Sequence, residues 1–269
     1  MMPCPDMKKD PNLMITSAEF PVPLVILPET DSTNNYLTQL CDGQQSAVRE
    51  FTTVIAERQT AGKGQRGNSW ESEDFRNITF SFVLYPTFIE ARRQFILSQI
   101  VSLSIKEELD EWTEGISIKW PNDIYWNEKK ICGILIENDL SGHHIGRSIS
   151  GIGVNINQET FRSNAPNPVS LKQITGQEYD RYLILANIMR RLKEYYTLLQ
   201  TDTSGDAANR IAERYAHSLF RREGFHRYAD ADSEFLARLL RVEPDGRFIL
   251  EDQTGKERGY LFKEVQYIL

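Results

Sequence analysis

The chain reads as α+β: a mixed, largely antiparallel sheet flanked by helices, followed by a small all-β module. Three observations predict this. Period-two alternation recurs at 78–84 and 116–120, and a hairpin pattern spans 124–136. Long helical patterns at 89–112 and 179–200 lie between and after these strands. Beyond about residue 221 only short apolar runs and turn signals remain.

Residues before Phe20 are polar and carry prolines, so 1–21 read as a flexible arm. Val22 to Leu27 is a short apolar strand. Asp31-Ser32-Thr33 then opens a helix carrying Tyr36, Leu37 and Leu40, which Gly43 stops. Thr52 to Ala56 reads as the next strand. A glycine-rich loop runs from Gln59 to Trp70. Ile78, Phe80, Phe82 and Leu84 alternate with smaller or polar residues, as in a half-buried strand. Phe95, Ile96, Ile100, Leu103 and Leu109 mark a long amphipathic helix. Ile116, Ile118 and Trp120 form a strand ending at Pro121. Ile124–Trp126 and Ile131–Ile136 flank the turn 127–130. Ile145 to Ile156 adds a strand after Ser141-Gly142. Helices follow at 179–200 and 206–219. In the tail, Phe235–Val242, Phe248–Leu250, Tyr260–Phe262 and Val265–Leu269 read as strands, separated by Pro244-Asp245-Gly246 and Gln253-Thr254-Gly255. The expected units are 1–21, 22–220 and 221–269. The last is too small to be very stable unless it docks.

Composition narrows the function. The net charge of -7 argues against a general nucleic-acid binder, which needs basic surface for phosphates. It leaves room for one local basic pocket. Cys4, Cys41 and Cys132 form no CxxC pair, so a reducing cytoplasm is the simplest home. His143, His144, His217 and His226 form no HExxH pattern, which argues against zinc. The N-terminus lacks the apolar run of a signal peptide, and no stretch approaches the roughly 18 apolar residues of a membrane span.

Five segments carry candidate chemistry. Gly62, Gly64 and Gly67 let the backbone of the 59–70 loop approach an anion, with Lys63 and Arg66 beside them. The competing reading is a solvated basic loop. Lys119-Trp120-Pro121-Asn122-Asp123 ends a strand with polar groups, or is an ordinary turn. Lys130-Ile-Cys-Gly133-Ile-Leu-Ile-Glu137 opens a core strand with a lysine, or simply leaves that lysine in solvent. Gly151-Ile-Gly153-Val-Asn155 fits close approach of a ligand or a bulged edge strand. Asp31-Ser32-Thr33-Asn34 is a helix cap, a role compatible with ligand contact.

Together and in this order, the five segments resemble the catalytic domain of biotin–protein ligases over roughly residues 22–220. The tail, with Phe262-Lys263-Glu264-Val265, resembles that family's small C-terminal β-module. The resemblance implies two half-reactions. Biotin and ATP first give biotinyl-5'-AMP with Mg²⁺ present; biotin then passes to a lysine of a biotin carboxyl carrier protein domain. It also implies site roles. Ser32, Thr33, Asn34 and Gln59 should bind biotin, with Gly62, Lys63, Gly64 and Gln65 folding over it. Lys130 and Gly133 should lie at its carboxylate. Arg66, Trp70, Lys119, Asn122, Asp123 and Asn155 should bind the nucleotide, with the metal near Asp123. Lys130, Lys119 and Arg66 are the expected catalytic cations.

Many family members have arginine where this chain has Gln65, so Arg66 is expected to clamp the adenylate phosphate. The roughly 20 residues before the first strand are too few for a DNA-binding helix-turn-helix domain, so no repressor function is expected. Pairing into a homodimer is left open, as is the carrier's identity. Two other readings remain: a lipoate or octanoyl ligase or transferase, and a non-catalytic biotin- or nucleotide-binding regulator.

Overall fold

In a computed structural model, residues 14–15, 20–43, 48–65, 68–163 and 165–268 are described. The expected arm lies mostly outside them, as does Arg66.

The first sheet has eight strands: β1 (Met14–Ile15), β2 (Leu24–Leu27), β3 (Thr53–Ala56), β4 (Ile78–Leu84), β5 (Ile116–Lys119), β6 (Asp123–Trp126), β7 (Lys129–Ser141) and β8 (His144–Val154). Their spatial order is β1-β2-β3-β4-β8-β7-β6-β5. Only β2 and β3 run parallel; every other pairing is antiparallel. The parallel pair needs a crossover, and α1 (Thr33–Gly43) lies within it.

One face of the sheet carries the larger core. Ile78, Phe80, Phe82 and Leu84 of β4 pack there with α2 (Phe95–Asp110), α4 (Arg181–Thr201) and α5 (Asp206–His217). The other face is partly covered by α1, whose Leu37 and Cys41 join Val54, Val83 and Ile149 in a second, smaller core. β4 is therefore buried at every position, not half-buried as its alternation predicts. The polar Thr79 and Ser81 on its second face are buried under α1 and its neighbours.

A short helix missed by periodicity, α3 (Leu171–Thr175), starts with a capping box between Ser170 and Gln173 and ends at the left-handed Gly176. The second sheet contains β9 (His226–Ala229), β10 (Glu234–Val242), β11 (Phe248–Asp252), β12 (Glu257–Tyr260) and β13 (Gln266–Tyr267), in the order β12-β11-β10-β9-β13. β9 was not anticipated, and β12 ends at Tyr260, so Phe262 lies in the turn after it. This sheet docks on the first unit through Trp120. The indole stacks on Phe248 at 4.8 Å and donates through Nε1 to the carbonyl of Gly246 at 3.0 Å.

Candidate active site

On the face shared with α1, Ser81 of β4 lies opposite Gly151 of β8, and Gly153 of β8 lies opposite Gly133 of β7. Directly opposed residues share a face, so three glycines form one floor without side chains beside the area α1 covers. Over this floor lies a cavity of about 940 Å³. The floor has to be glycine. A Cβ on Gly153 would sit 2.2 Å from the Trp70 ring, one on Gly133 2.7 Å from it, and one on Gly151 2.1 Å from Asn34 Oδ1.

The 59–70 loop bends back on itself to bring Trp70 there. Trp70 N–H donates to Gly62 O at 2.9 Å, and Gly64 N–H donates to Asn68 O at 2.7 Å. Lys63 Nζ donates to Asn35 Oδ1. Trp70 Nε1 is buried with no hydrogen-bond partner among the described residues.

At the α1 end stands a polar cluster. Asp31 accepts from Ser32 N–H at 2.7 Å and from Asn35 Nδ2 at 2.6 Å. The Asn35 bond, chief among these, holds the Asp31 carboxyl below its usual range. Thr33 donates from its N–H to Gln59 Oε1 at 2.9 Å and meets the same oxygen with its hydroxyl at 3.2 Å. Asn34 Nδ2 donates to the Glu137 carboxylate at 2.8 Å.

At the β6–β7 end stand two cations with one carboxylate. Lys130 Nζ is 2.7 Å from Asp123 Oδ2. Lys119 Nζ donates to Tyr125 OH at 3.1 Å and lies 4.7 Å from the Tyr125 ring and 5.0 Å from the Tyr267 ring. Burial lowers the Lys119 pKa; Lys130 and Arg221 lower it further, against the opposing pull of Asp123. Burial and the Asp123 charge push Tyr125 up to about 12. Asp123 is the only carboxylate among the described residues lining the cavity.

Of the residues expected at the site, Ser32, Thr33, Asn34, Gln59, Lys63, Gly64, Gln65, Trp70, Lys119, Asn122, Asp123, Lys130 and Gly133 line this one cavity. Gly62 sits behind it, fixing Trp70. Asn155 is buried outside the lining, its Nδ2 donating to Val169 O at 3.1 Å while Oδ1 has no hydrogen-bond partner among the described residues. Arg66, the expected phosphate clamp, lies outside the described residues.

Sequence reasoning missed Ser81, and it missed the tail: Phe262, Lys263, Val265, Gln266 and Tyr267 also line the cavity. Phe262-Lys263-Glu264-Val265 stood out only as part of the tail's resemblance, and nothing local placed these residues at the cavity, because only the docking of the second sheet brings them there. The signal for Ser81 was present. It shares the polar side of β4 with Thr79.

The family model for biotin/lipoate A/B protein ligases matches residues 27–155, which hold all five chemical segments. Biotin protein ligase from Aquifex aeolicus, solved with biotin and ATP, superposes with a TM-score of 0.72 at 27% identity, covering 91% of this chain and 99% of that one. In sequence and in fold the chain is similar to biotin–protein ligases. Among curated members it is 29% identical over 222 residues to the bifunctional ligase/repressor BirA of Bacillus spizizenii, 78% of this chain and 65% of that protein. It is 32% identical over 162 residues to the biotin–[acetyl-CoA-carboxylase] ligase of Paracoccus denitrificans, 58% of this chain and 65% of that one. The chain thus spans just under two thirds of the length of these relatives. No described helix is long and apolar enough to cross a membrane.

Proposed function

We propose that this protein is an ATP-dependent biotin–protein ligase. In the first step a biotin carboxylate oxygen attacks the α-phosphorus of ATP, forming biotinyl-5'-AMP and releasing pyrophosphate. In the second, the ε-amine of a carrier lysine attacks the acyl carbon and AMP leaves. The carrier is a biotin carboxyl carrier domain of the acetyl-CoA-carboxylase type.

The observation that carries this reading is the cavity's polarity. One end offers neutral hydrogen-bonding groups, Ser32, Thr33 and Gln59, suited to an uncharged ureido ring. The other offers Lys130 and Lys119, suited to phosphate. The glycines between them let the Trp70 ring lie against the sheet, which gives the ligand body an apolar wall. Lys130 stabilises charge where the carboxylate meets the α-phosphate, and Lys119 holds the phosphates. Mg²⁺ would enter with ATP, and one carboxylate, Asp123, suits an ion held mainly by phosphates and water. Arg66 keeps its proposed role as phosphate clamp, and Asn155 its role near the adenine. Gly62, Lys63, Gly64 and Gln65 close over the bound ligand, with Trp70 as the aromatic wall and Asn122 beside the phosphates.

In this reading the catalytic unit runs to about residue 220 and the β-module from about 221. A cytoplasmic home follows from the reduced cysteines the sequence implies. Sequence-selective DNA binding is not part of this function; the net charge of -7 speaks against it.

The test is biotin-dependent ATP–pyrophosphate exchange. Wild type should exchange with biotin and not with lipoate, and Lys130→Ala should lose exchange by at least about a hundredfold. Binding of biotin without exchange would sink the enzyme reading.

A further inference from the structure

Ser163, Ala165 and Pro166 line the cavity from the stretch between Asn157 and α3, and form part of its rim. At its far end this stretch is fixed to Lys130. Lys130 N–H donates to Asn167 O at 2.8 Å, and Val169 N–H donates to Lys130 O at 3.0 Å. At its near end it meets Glu71, the residue after Trp70. Glu71 Oε1 accepts from Arg162 N–H at 2.7 Å, and Oε2 accepts from Ser163 N–H at 2.6 Å. Two successive amides pointing at one carboxylate make a charge-assisted clasp.

Glu71 is itself held in place. The buried Gln158 donates through Nε2 to Glu71 Oε1 at 3.3 Å and to Thr160 O at 2.8 Å. Gln158 Oε1 accepts from Glu73 N–H at 3.0 Å and from Asn77 Nδ2 at 2.5 Å. A backbone N–H can only donate, so the Gln158 amide has one orientation and its Nε2 faces the carboxylate. Burial alone would raise the Glu71 pKa, but the bonds from Ser163, Arg162 and Gln158 outweigh it and hold the carboxyl below its usual range. The rim has little else to hold it. Among the described residues, every hydrogen bond that ties 161–163, 165 and 166 to the rest of the chain ends on Glu71. Arg162, Ser163, Ala165 and Pro166 are exposed, so burial does little to fix them.

We infer that Glu71 is a positioning residue: by clasping Arg162 and Ser163 it fixes this rim beside Trp70 and sets how fast a bound acyl-adenylate escapes. Glu71 does not line the cavity, so it acts only through the rim. The inference rests on the ligase reading, since an enzyme that stores a reactive intermediate between two steps gains from slow release. The carboxylate joins two parts of the cavity wall that are distant in sequence, the loop ending at Trp70 and the stretch carrying Ser163. With the clasp open, that stretch stays tied through Asn167 to Lys130 but is free beside Trp70, and the adenylate leaves through the gap before a carrier arrives.

Glu71→Gln keeps the size but sets an amide N–H₂ against one of the two backbone donors; Glu71→Ala removes the clasp. The first measurement is hydrogen exchange of the ligand-free protein. The Arg162 and Ser163 amides should exchange at least about tenfold faster in either variant, while α2 and α4 keep their wild-type protection. The second is release of biotinyl-5'-AMP, formed from biotin and ATP without carrier. Release should quicken about tenfold, with the KM for biotin within about twofold of wild type. A merely structural role would lower the protection of α2 and α4 and raise the biotin KM as well, and that result overturns the inference. Unchanged exchange at Arg162 and Ser163 overturns the clasp; faster exchange with unchanged release overturns the positioning role. A wild type that forms no adenylate instead overturns the ligase reading, and hydrogen exchange then judges the clasp by itself.

Discussion

Replacing Gly153 by alanine tests the floor of the cavity with a single methyl group. The new Cβ would stand 2.2 Å from both Trp70 Cε2 and Nε1, where ordinary contact needs about 3.5 Å or more. The ring must therefore retreat by more than about 1 Å. β8 cannot yield, because it is paired on one side with β4 and on the other with β7. The movement falls on Trp70 and the loop that carries it, which is tied to Gly62. Overpacking of this kind costs about 1–3 kcal/mol, or roughly 5- to 150-fold in an equilibrium constant. The strain is relieved by moving a loop, so the melting temperature should change little and ligand binding should take most of the loss. The assay is the KM for ATP in pyrophosphate exchange, with Trp fluorescence of the ligand-free protein reporting the ring. Unchanged KM and unchanged fluorescence would refute the packing argument.

Other expectations follow from the same geometry. Trp120→Ala removes the stacking on Phe248 and the bond to Gly246, and should cost about 3–5 kcal/mol in urea unfolding. Gly246→Ala should destabilise too, because its φ of +92° disfavours a side chain and the Cβ would meet Phe95 at 2.7 Å. Asp123→Asn removes the carboxylate charge that raises the Lys119 pKa, so the alkaline loss of ATP affinity should move to lower pH than in wild type. Asp252 accepts from Thr254 and Arg258, and these bonds hold its carboxyl well below the ordinary 3.8. In acid the unfolded chain then binds a proton that the folded one does not. The contribution of Asp252 is full above about pH 3.8 and fades as pH falls towards its lower folded value. Asp252→Asn should remove this part of the acid-unfolding slope.

The five chemical segments could be read from sequence because each sets glycines or polar groups where a core strand or plain helix has no need of them. The hairpin turn at Asn127-Glu128 was legible for the same local reason. What escaped depended on distant partners. β4 alternates like a half-buried strand, yet α1 covers its second face, and no local pattern announces the cover. β9 buries only Tyr228 fully, too little to register as a strand. α3 is shorter than two turns, so its caps rather than its periodicity were the available signal. Tyr267 reaches Lys119 across almost 150 residues of chain, and only the docking of the second sheet brings them together.

That contact bears on how the protein is made. The cavity takes its first wall from Ser32 and its last from Gln266 and Tyr267, and a ribosome delivers these far apart in time. A nascent chain that has emerged only to α5 already holds Lys119, Asp123 and Lys130, but has one tyrosine against Lys119 where the finished protein has two. Substrate handling should therefore switch on late in synthesis, when β13 pairs with β9, and not grow in step with chain length.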